Sequence, residues 1–274
     1  MPAGHQITVE DLISTGDHFG HLTRRWHPNY KPYIYMEKNV IHIIDVEQTM
    51  ICLQRAVEVA SQIVRDGGTI LFVGTKKQAK DVLQREADRC GMYYVVERWL
   101  GGTLTNFATI KRSIKRLQQL EKDADTLYQS LTKKEILRLE RERIRLSDQH
   151  RGIKDMKQLP DAIYIVDAQH EATAIREARR LEIPVIAIVD SNTDPEMADY
   201  PIPANDDSLR TIQLITAELA DGIIAARGGE SFEEEDGEEA AKPGPEETET
   251  VKEAQVEAVV AGEGEHLPKE ANEA

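Results

Sequence analysis

The stretch TILFVGTKKQAKDVLQREADRCG, residues 69 to 91, decides the fold. Its first five residues are a short apolar run, the signature of a strand buried on both faces. Gly74 then opens a segment with helical periodicity from Lys76 to Arg89, and Gly91 marks its stop. The same strand-then-helix order recurs along the chain. Val40 to Val46 (VIHIIDV) leads into a helix over Gln48 to Arg65 that ends at Gly67 and Gly68. Tyr93 to Val96 is a further strand, and Ala162 to Val166 (AIYIV) precedes a helix over Glu171 to Leu181. Val185 to Val189 (VIAIV) is followed by a brief extended Tyr200 to Ile202 and a last helix over Ser208 to Ala226. Continuous apolar strands alternating with helices imply right-handed βαβ units and an α/β parallel sheet with helices on both faces.

Outward from that core the alternation breaks. Thr8 to Gly16 reads as a short helix opened by a threonine cap, with Asp11 in its first turn. The segment HFGHLTRRWHPNYKPYIYMEKN, residues 18 to 39, cannot form a regular helix because Pro28 and Pro32 forbid one, so an ordered loop or extended arm is expected. Between Asn106 and Gln158 the chain is helical, polar and basic, with Ile110, Ile114 and Leu117 on one face and Leu137 with Ile144 seven apart on another. Two antiparallel helices meeting around Asp123 to Ser130 would pair these stripes in a short hairpin. From Gly229 the chain is Glu, Ala, Gly and Pro with few aromatics, and is expected to be disordered. The expected division is an α/β body over 1–105 and 159–228, a coiled-coil-like hairpin insertion over 106–158, and an acidic tail over 229–274.

Charge follows the same division. The net charge of −15 would argue against a polyanionic partner, but from Glu230 onward there are 16 acidic residues against three lysines. Residues 1 to 229 carry 33 acidic and 31 basic residues, and residues 98 to 157 hold 15 Lys and Arg against eight Asp and Glu. A basic module thus sits on a nearly neutral scaffold. The cysteines, Cys52 and Cys90, lie in apolar helical contexts without a CxxC, as buried thiols in a reducing compartment do. There is no run of 18 apolar residues and no signal-peptide pattern at the start, so a cytoplasmic protein without a membrane partner is expected.

In a parallel α/β sheet a ligand binds at the carboxyl ends of the strands. The turn Gly74-Thr75-Lys76-Lys77 lacks both GxxxxGK[ST] and GxGxxG, so it does not cradle a nucleotide. A helix N-terminus with two lysines suits an RNA phosphate or is simple capping, and both readings stay open. Asp167, Asp190, Asn192, Asp194, Asp206 and Asp207 lie at or near strand ends, and with His21 they could hold a divalent metal; turn and cap chemistry accounts for the same residues. No GxSxG or HExxH occurs, and neither an enzyme nor a small-molecule substrate is expected.

Two segments interleave cations with aromatics, as RNA-binding surfaces do. One is the arm, with Arg24, Arg25, Trp26, His27, Tyr30, Lys31 and Tyr33; the other is Arg98 to Asn106 at the base of the hairpin, with its Gly101-Gly102 pair. Trp99 reads as packed rather than stacked. Lys111, Arg112, Lys115 and Arg116 fall along one helical stripe, and no acidic residue lies between Arg98 and Glu121.

The strings LISTGDHFGH, RRWHPNYKPYIY, HIIDVEQT, LFVGTKKQA, RWLGGTLTNF, LPDAIYIVDAQHEATAIREARRLEIPVIAIVDSNTDP and YPIPANDDSLRTIQL resemble the bacterial ribosomal protein S-two family over nearly the whole body. That resemblance implies a Rossmann-like (flavodoxin-like) domain bearing a helical hairpin, seated between head and body of the small ribosomal subunit. It implies contact with small-subunit ribosomal RNA and with other small-subunit proteins, above all ribosomal protein S-one. Carried over by motif, Arg24, Arg25, Lys31, Lys76, Lys77, Arg98, Asn106, Lys111 and Lys115 would face RNA, joined by Trp26, His27 and Arg112 from the reading of residues. Asp190 and Asp207 with His21 become candidates for a metal-assisted protein contact. An RNA-associated adaptor acting through its acidic tail is the alternative.

Overall fold

The computed structural model describes residues 7–127 and 131–228. The acidic tail over 229–274 and the tip of the hairpin at 128–130 lie outside the described residues. The first element, α1 (Val9–Thr15), is closed at its start by a reciprocal pair: Asp11 N–H donates to Thr8 Oγ1 at 3.2 Å, and Thr8 N–H donates to Asp11 Oδ2 at 2.9 Å. Gly16 ends it at a left-handed φ of 82°.

β1 (Phe19–Leu22), β2 (Ile34–Lys38) and β3 (Ile41–Ile44) form a small antiparallel sheet in the order β1-β3-β2. This corrects the expectation for residues 40 to 46, which do not enter the parallel sheet. The reason is visible in burial: His42 and Ile44 are buried while Ile41 and Ile43 are half-exposed, the alternation of a sheet covered on one face. Between β1 and β2 the arm is ordered as two short 3₁₀ segments, Thr23–Arg25 and Pro28–Tyr33, which tolerate the prolines an α-helix would not.

Then follow α2 (Val46–Arg65), β4 (Ile70–Val73), α3 (Lys77–Cys90), β5 (Tyr93–Val95), α4 (Phe107–Leu127), α5 (Lys133–His150), β6 (Ala162–Val166), α6 (Ala172–Arg180), β7 (Val185–Val189), β8 (Tyr200–Pro203) and α7 (Leu209–Ala226). The sheet is parallel throughout in the order β5-β4-β6-β7-β8. Counted in chain order this is 2-1-3-4-5, the flavodoxin-like winding, with its switch point between β4 and β6. β8 carries Pro201 and Pro203 and occupies an edge, where missing N–H donors cost nothing.

Strand alternation divides the core in two. Ile70, Phe72, Tyr164, Val166, Ile186 and Ile188 face helices α2, α3 and α7. Leu71, Val73, Ile163, Ile165, Val185, Ala187 and Val189 face α6, the arm's Tyr30 and the base of the hairpin through Ile110, Ile114 and Ile153. Each fully buried Leu, Ile or Val contributes about 1.5–3 kcal/mol, so both layers fix the sheet's orientation. The outer edge of β5 is closed by the chain returning from α5. Gly152 lies so close to it that an added Cβ would sit 2.3 Å from the Tyr94 carbonyl oxygen.

The hairpin forms, with one of its expected stripes corrected. Ile110 and Ile114 join the main core, and Leu117 and Leu120 pack with Leu146 and Leu139 in a small distal core. Leu137 and Ile144 instead point outward, 57% and 48% exposed. Two pairs on α5, 137/144 and 139/146, share the seven-residue spacing, and spacing alone cannot choose between them. The phase of α4 does, together with His150, whose Nε2 lies 2.9 Å from Ser113 Oγ on the buried side.

Candidate functional site

At the switch point, where a flavodoxin-like sheet would seat a ligand, the chain's own side chains fill the crevice. Lys76 Nζ lies 2.7 Å from Asp206 Oδ1, 2.7 Å from Asp207 Oδ1 and 3.4 Å from Asp167 Oδ2. These carboxylates raise its pKa against the opposing effect of burial. The amide and hydroxyl of Thr75, the donors a phosphate would use, both go to Glu171 Oε1, at 2.9 and 2.5 Å. Gly74 serves packing, since a Cβ there would meet Leu83 Cδ1 at 2.3 Å. Lys76, expected to face an RNA phosphate, is therefore turned inward. Its neighbour Lys77 is exposed in the first turn of α3.

The N-terminal arm lies over the same strand ends. His27 N–H donates to the Ser191 carbonyl at 2.8 Å, Tyr30 Oη–H to the Val189 carbonyl at 3.0 Å, and His21 N–H to Ser191 Oγ at 2.7 Å. His21 Nδ1 sits 3.0 Å from Asp190 Oδ2 and its Nε2 3.5 Å from Asp207 Oδ2. The hydrogen bond to Asp190 raises the His21 pKa.

All three metal candidates, His21, Asp190 and Asp207, are thus brought together. Asp206 joins them: one ligand atom each from His21, Asp190 and Asp206 lie within 4.8 Å of one another. Burial, then Asp190 and Asp167, push Asp206 up to about 7, so an added cation would relieve crowded carboxylates. One imidazole with several carboxylates is a donor set that fits a divalent ion. Lys76 shares two of those carboxylates and already supplies one positive charge. Asp17 is fully buried nearby, with no hydrogen bond to either carboxylate oxygen among the described residues. The Thr49 hydroxyl donates to the Pro203 carbonyl instead.

The RNA candidates are spread over the surface rather than gathered in a pocket. Arg24, Arg25 and Lys31 are exposed on the arm, while Trp26 is half-buried with its ring 5.1 Å from that of His42. His27 acts locally, its Nδ1 accepting from Asn29 N–H at 3.3 Å. On the hairpin, Lys111 Nζ donates to the Lys157 carbonyl and stands 4.9 Å from the centre of the Phe107 ring. Arg112 and Lys115 are exposed, and Arg116 is paired with Glu142 of the facing helix at 3.0 Å. Arg98 and Asn106 are exposed at the two ends of the loop after β5.

Trp99 is packed, 9% exposed, and the reason is a residue the sequence reading missed. Glu177 of α6 is buried and accepts from Trp99 Nε1 at 3.1 Å and from the Gly102, Leu104 and Thr105 amides at 2.7, 3.0 and 3.1 Å. The Thr105 hydroxyl adds a further bond at 3.1 Å. Burial opposes ionisation, yet these donors hold its carboxyl below the usual range. The available signal is its place among Ala174, Ile175 and Ala178, where the apolar face of α6 calls for another small or apolar residue.

The sequence profile described as Ribosomal protein S2 matches residues 12–226. A curated relative from Acidobacterium capsulatum, described as small ribosomal subunit protein uS2, is 52% identical over 219 residues, covering 80% of this chain and 73% of the relative.

Proposed function

The chain belongs to the ribosomal protein S2 family, and from that premise we propose that it is a structural constituent of the small ribosomal subunit. In this reading it supports translation in the cytoplasm, ribosome-bound, by holding small-subunit ribosomal RNA between head and body and by docking ribosomal protein S-one. The body over 1–105 and 159–228 acts as scaffold and the hairpin over 106–158 as an RNA-facing projection. Among the described residues, no helix is long and apolar enough to cross a membrane.

The observation that carries the reading is a partition of cations. Lys76, at the strand ends, is neutralised within the chain, whereas Arg24, Arg25, Lys31, Lys77, Arg98, Arg112 and Lys115 make no ion pair among the described residues and are exposed. Exposed, unpaired cations on ordered elements are what neutralise a phosphate backbone, and the binding they give weakens steeply with salt. The Lys111→Glu, Arg112→Glu, Lys115→Glu triple variant should fold normally by circular dichroism and fall out of the small-subunit peak in sucrose gradients. Incorporation at wild-type level would remove the hairpin from the RNA surface.

His21, Asp190 and Asp207, with Asp206, are proposed as a divalent-cation site that assists a protein contact. Its support is the convergence of His21, Asp190 and Asp206, one ligand atom from each within 4.8 Å of the others, with Asp207 against the other imidazole nitrogen of His21. Isothermal titration with zinc or magnesium should give binding that Asp190→Asn removes. The adaptor alternative rests on the 16 acidic residues from Glu230 onward. Deleting 230–274 tests it, since unchanged partner binding would discard the tail.

A further inference from the structure

We infer that Glu177 is a positioning residue for RNA binding: its buried carboxylate holds the loop from Arg98 to Asn106 in the shape that presents Arg98 and Asn106 outward. This rests on the RNA-binding reading above and adds to it a residue that itself touches no RNA.

The geometry is that of an anion nest. Three backbone N–H groups of one loop, those of Gly102, Leu104 and Thr105, converge on a single pair of oxygens, as amides do around bound phosphates, but here the anion belongs to the protein. Gly102 makes the inward turn possible with a φ of 91°, a conformation that a residue with a side chain rarely adopts. The residue type matters. Two oxygens take five donors, which a carboxylate with about four lone-pair sites can nearly satisfy, whereas a glutamine at 177 would offer one acceptor oxygen and bring donors of its own. A buried charge on a helix face lined by Ala174, Ile175 and Ala178 is a costly choice for packing alone.

With the loop's amides drawn inward, its two ends are left free to face solvent. Arg98 and Asn106 are exposed, and Asn106 starts the helix that carries Arg112 and Lys115. Glu171, at the start of the same helix α6, treats the neighbouring turn alike by accepting from Thr75. One helix thus ties down the loops that follow two adjacent strands, β4 and β5, with one buried carboxylate each.

The test measures binding of the full chain to small-subunit ribosomal RNA over a potassium chloride series, for Glu177→Gln, for Arg98→Ala with Asn106→Ala, and for the three changes together. Arg98→Ala with Asn106→Ala should weaken binding and lower the salt slope by about 1. Glu177→Gln should weaken it by about tenfold with a similar loss of slope, and the combined variant should bind no worse than about twofold below Glu177→Gln alone. A purely structural Glu177 would lower the melting temperature while leaving affinity and slope unchanged well below it, and that result overturns the inference. If the Arg98 and Asn106 changes are silent the inference also falls, while RNA binding by arm and hairpin stands or falls on the hairpin variant above. Should Glu177→Gln not fold, Thr105→Val removes a single donor. It should weaken binding in the same direction, and an unchanged affinity and slope would overturn the inference.

Discussion

Lys76, at the start of α3 in the α/β body, and Lys115, inside α4 of the hairpin, have opposite fates. Lys76 is half-buried and ion-paired with three carboxylates at the strand ends, where a nucleotide-binding protein of this winding would hold its phosphate. Lys115 stands exposed on the hairpin with no ion pair among the described residues. The difference shows what occupies the crevice at the strand ends. Glu171, Asp206, Asp207 and the arm line it from inside, and exposed cations with no ion pair among the described residues lie on the hairpin, the arm, the first turn of α3 and the loop after β5.

The comparison can be broken or sharpened by substitution. The largest effect belongs to the hairpin's distal core: Leu117→Ala, fully buried, should cost about 3 kcal/mol in urea unfolding, while Leu137→Ala should stay within about 0.5 kcal/mol. Equal costs would mean that the stripes are assigned to the wrong faces. Next, Lys76→Met should destabilise by about 2 kcal/mol, because it strands Asp206 and Asp207, with some relief through the exposed side of Asp207. No change in midpoint would show that the cluster is not held by that lysine.

A separate effect is a pH slope. Burial pushes Asp17 from its ordinary 3.8 up to about 8, so the folded chain keeps a proton that the unfolded chain has released. The stability this group contributes is therefore present below about pH 4 and is lost as pH rises towards about 8. Asp17→Asn should flatten this decline in thermal melts between pH 5 and 8, and a slope that persists in the variant would assign it to another group.

Much of the fold was legible in the sequence because continuous apolar runs such as ILFV, AIYIV and VIAIV leave little alternative to buried parallel strands, and Gly16 and Gly91 mark helix ends by their left-handed geometry. The segment VIHIIDV looked like one of these runs. His42 and the alternation around it place it on a sheet with one open face, a distinction that depends on what the arm brings against it. The helix pairing was ambiguous for a different reason, since two stripes on α5 share one spacing. At the candidate sites, the sequence offered the charged residues but not their partners. The pairing of Lys76 with Asp206 joins residues 130 positions apart, a contact that sequence spacing does not reveal. Glu177 is not legible in the sequence because three of its five donors are backbone amides, which sequence does not distinguish.

The central claim, that positive charge is internal at the strand ends and external on the hairpin, is tested most directly by the salt dependence of ribosomal RNA binding for two variants side by side. Arg112→Gln with Lys115→Gln should lower the slope of log affinity against log salt by about 1–2, and Lys76→Gln, measured well below its melting temperature, should leave the slope where it was. A slope that falls for Lys76→Gln and holds for the hairpin pair would contradict the account.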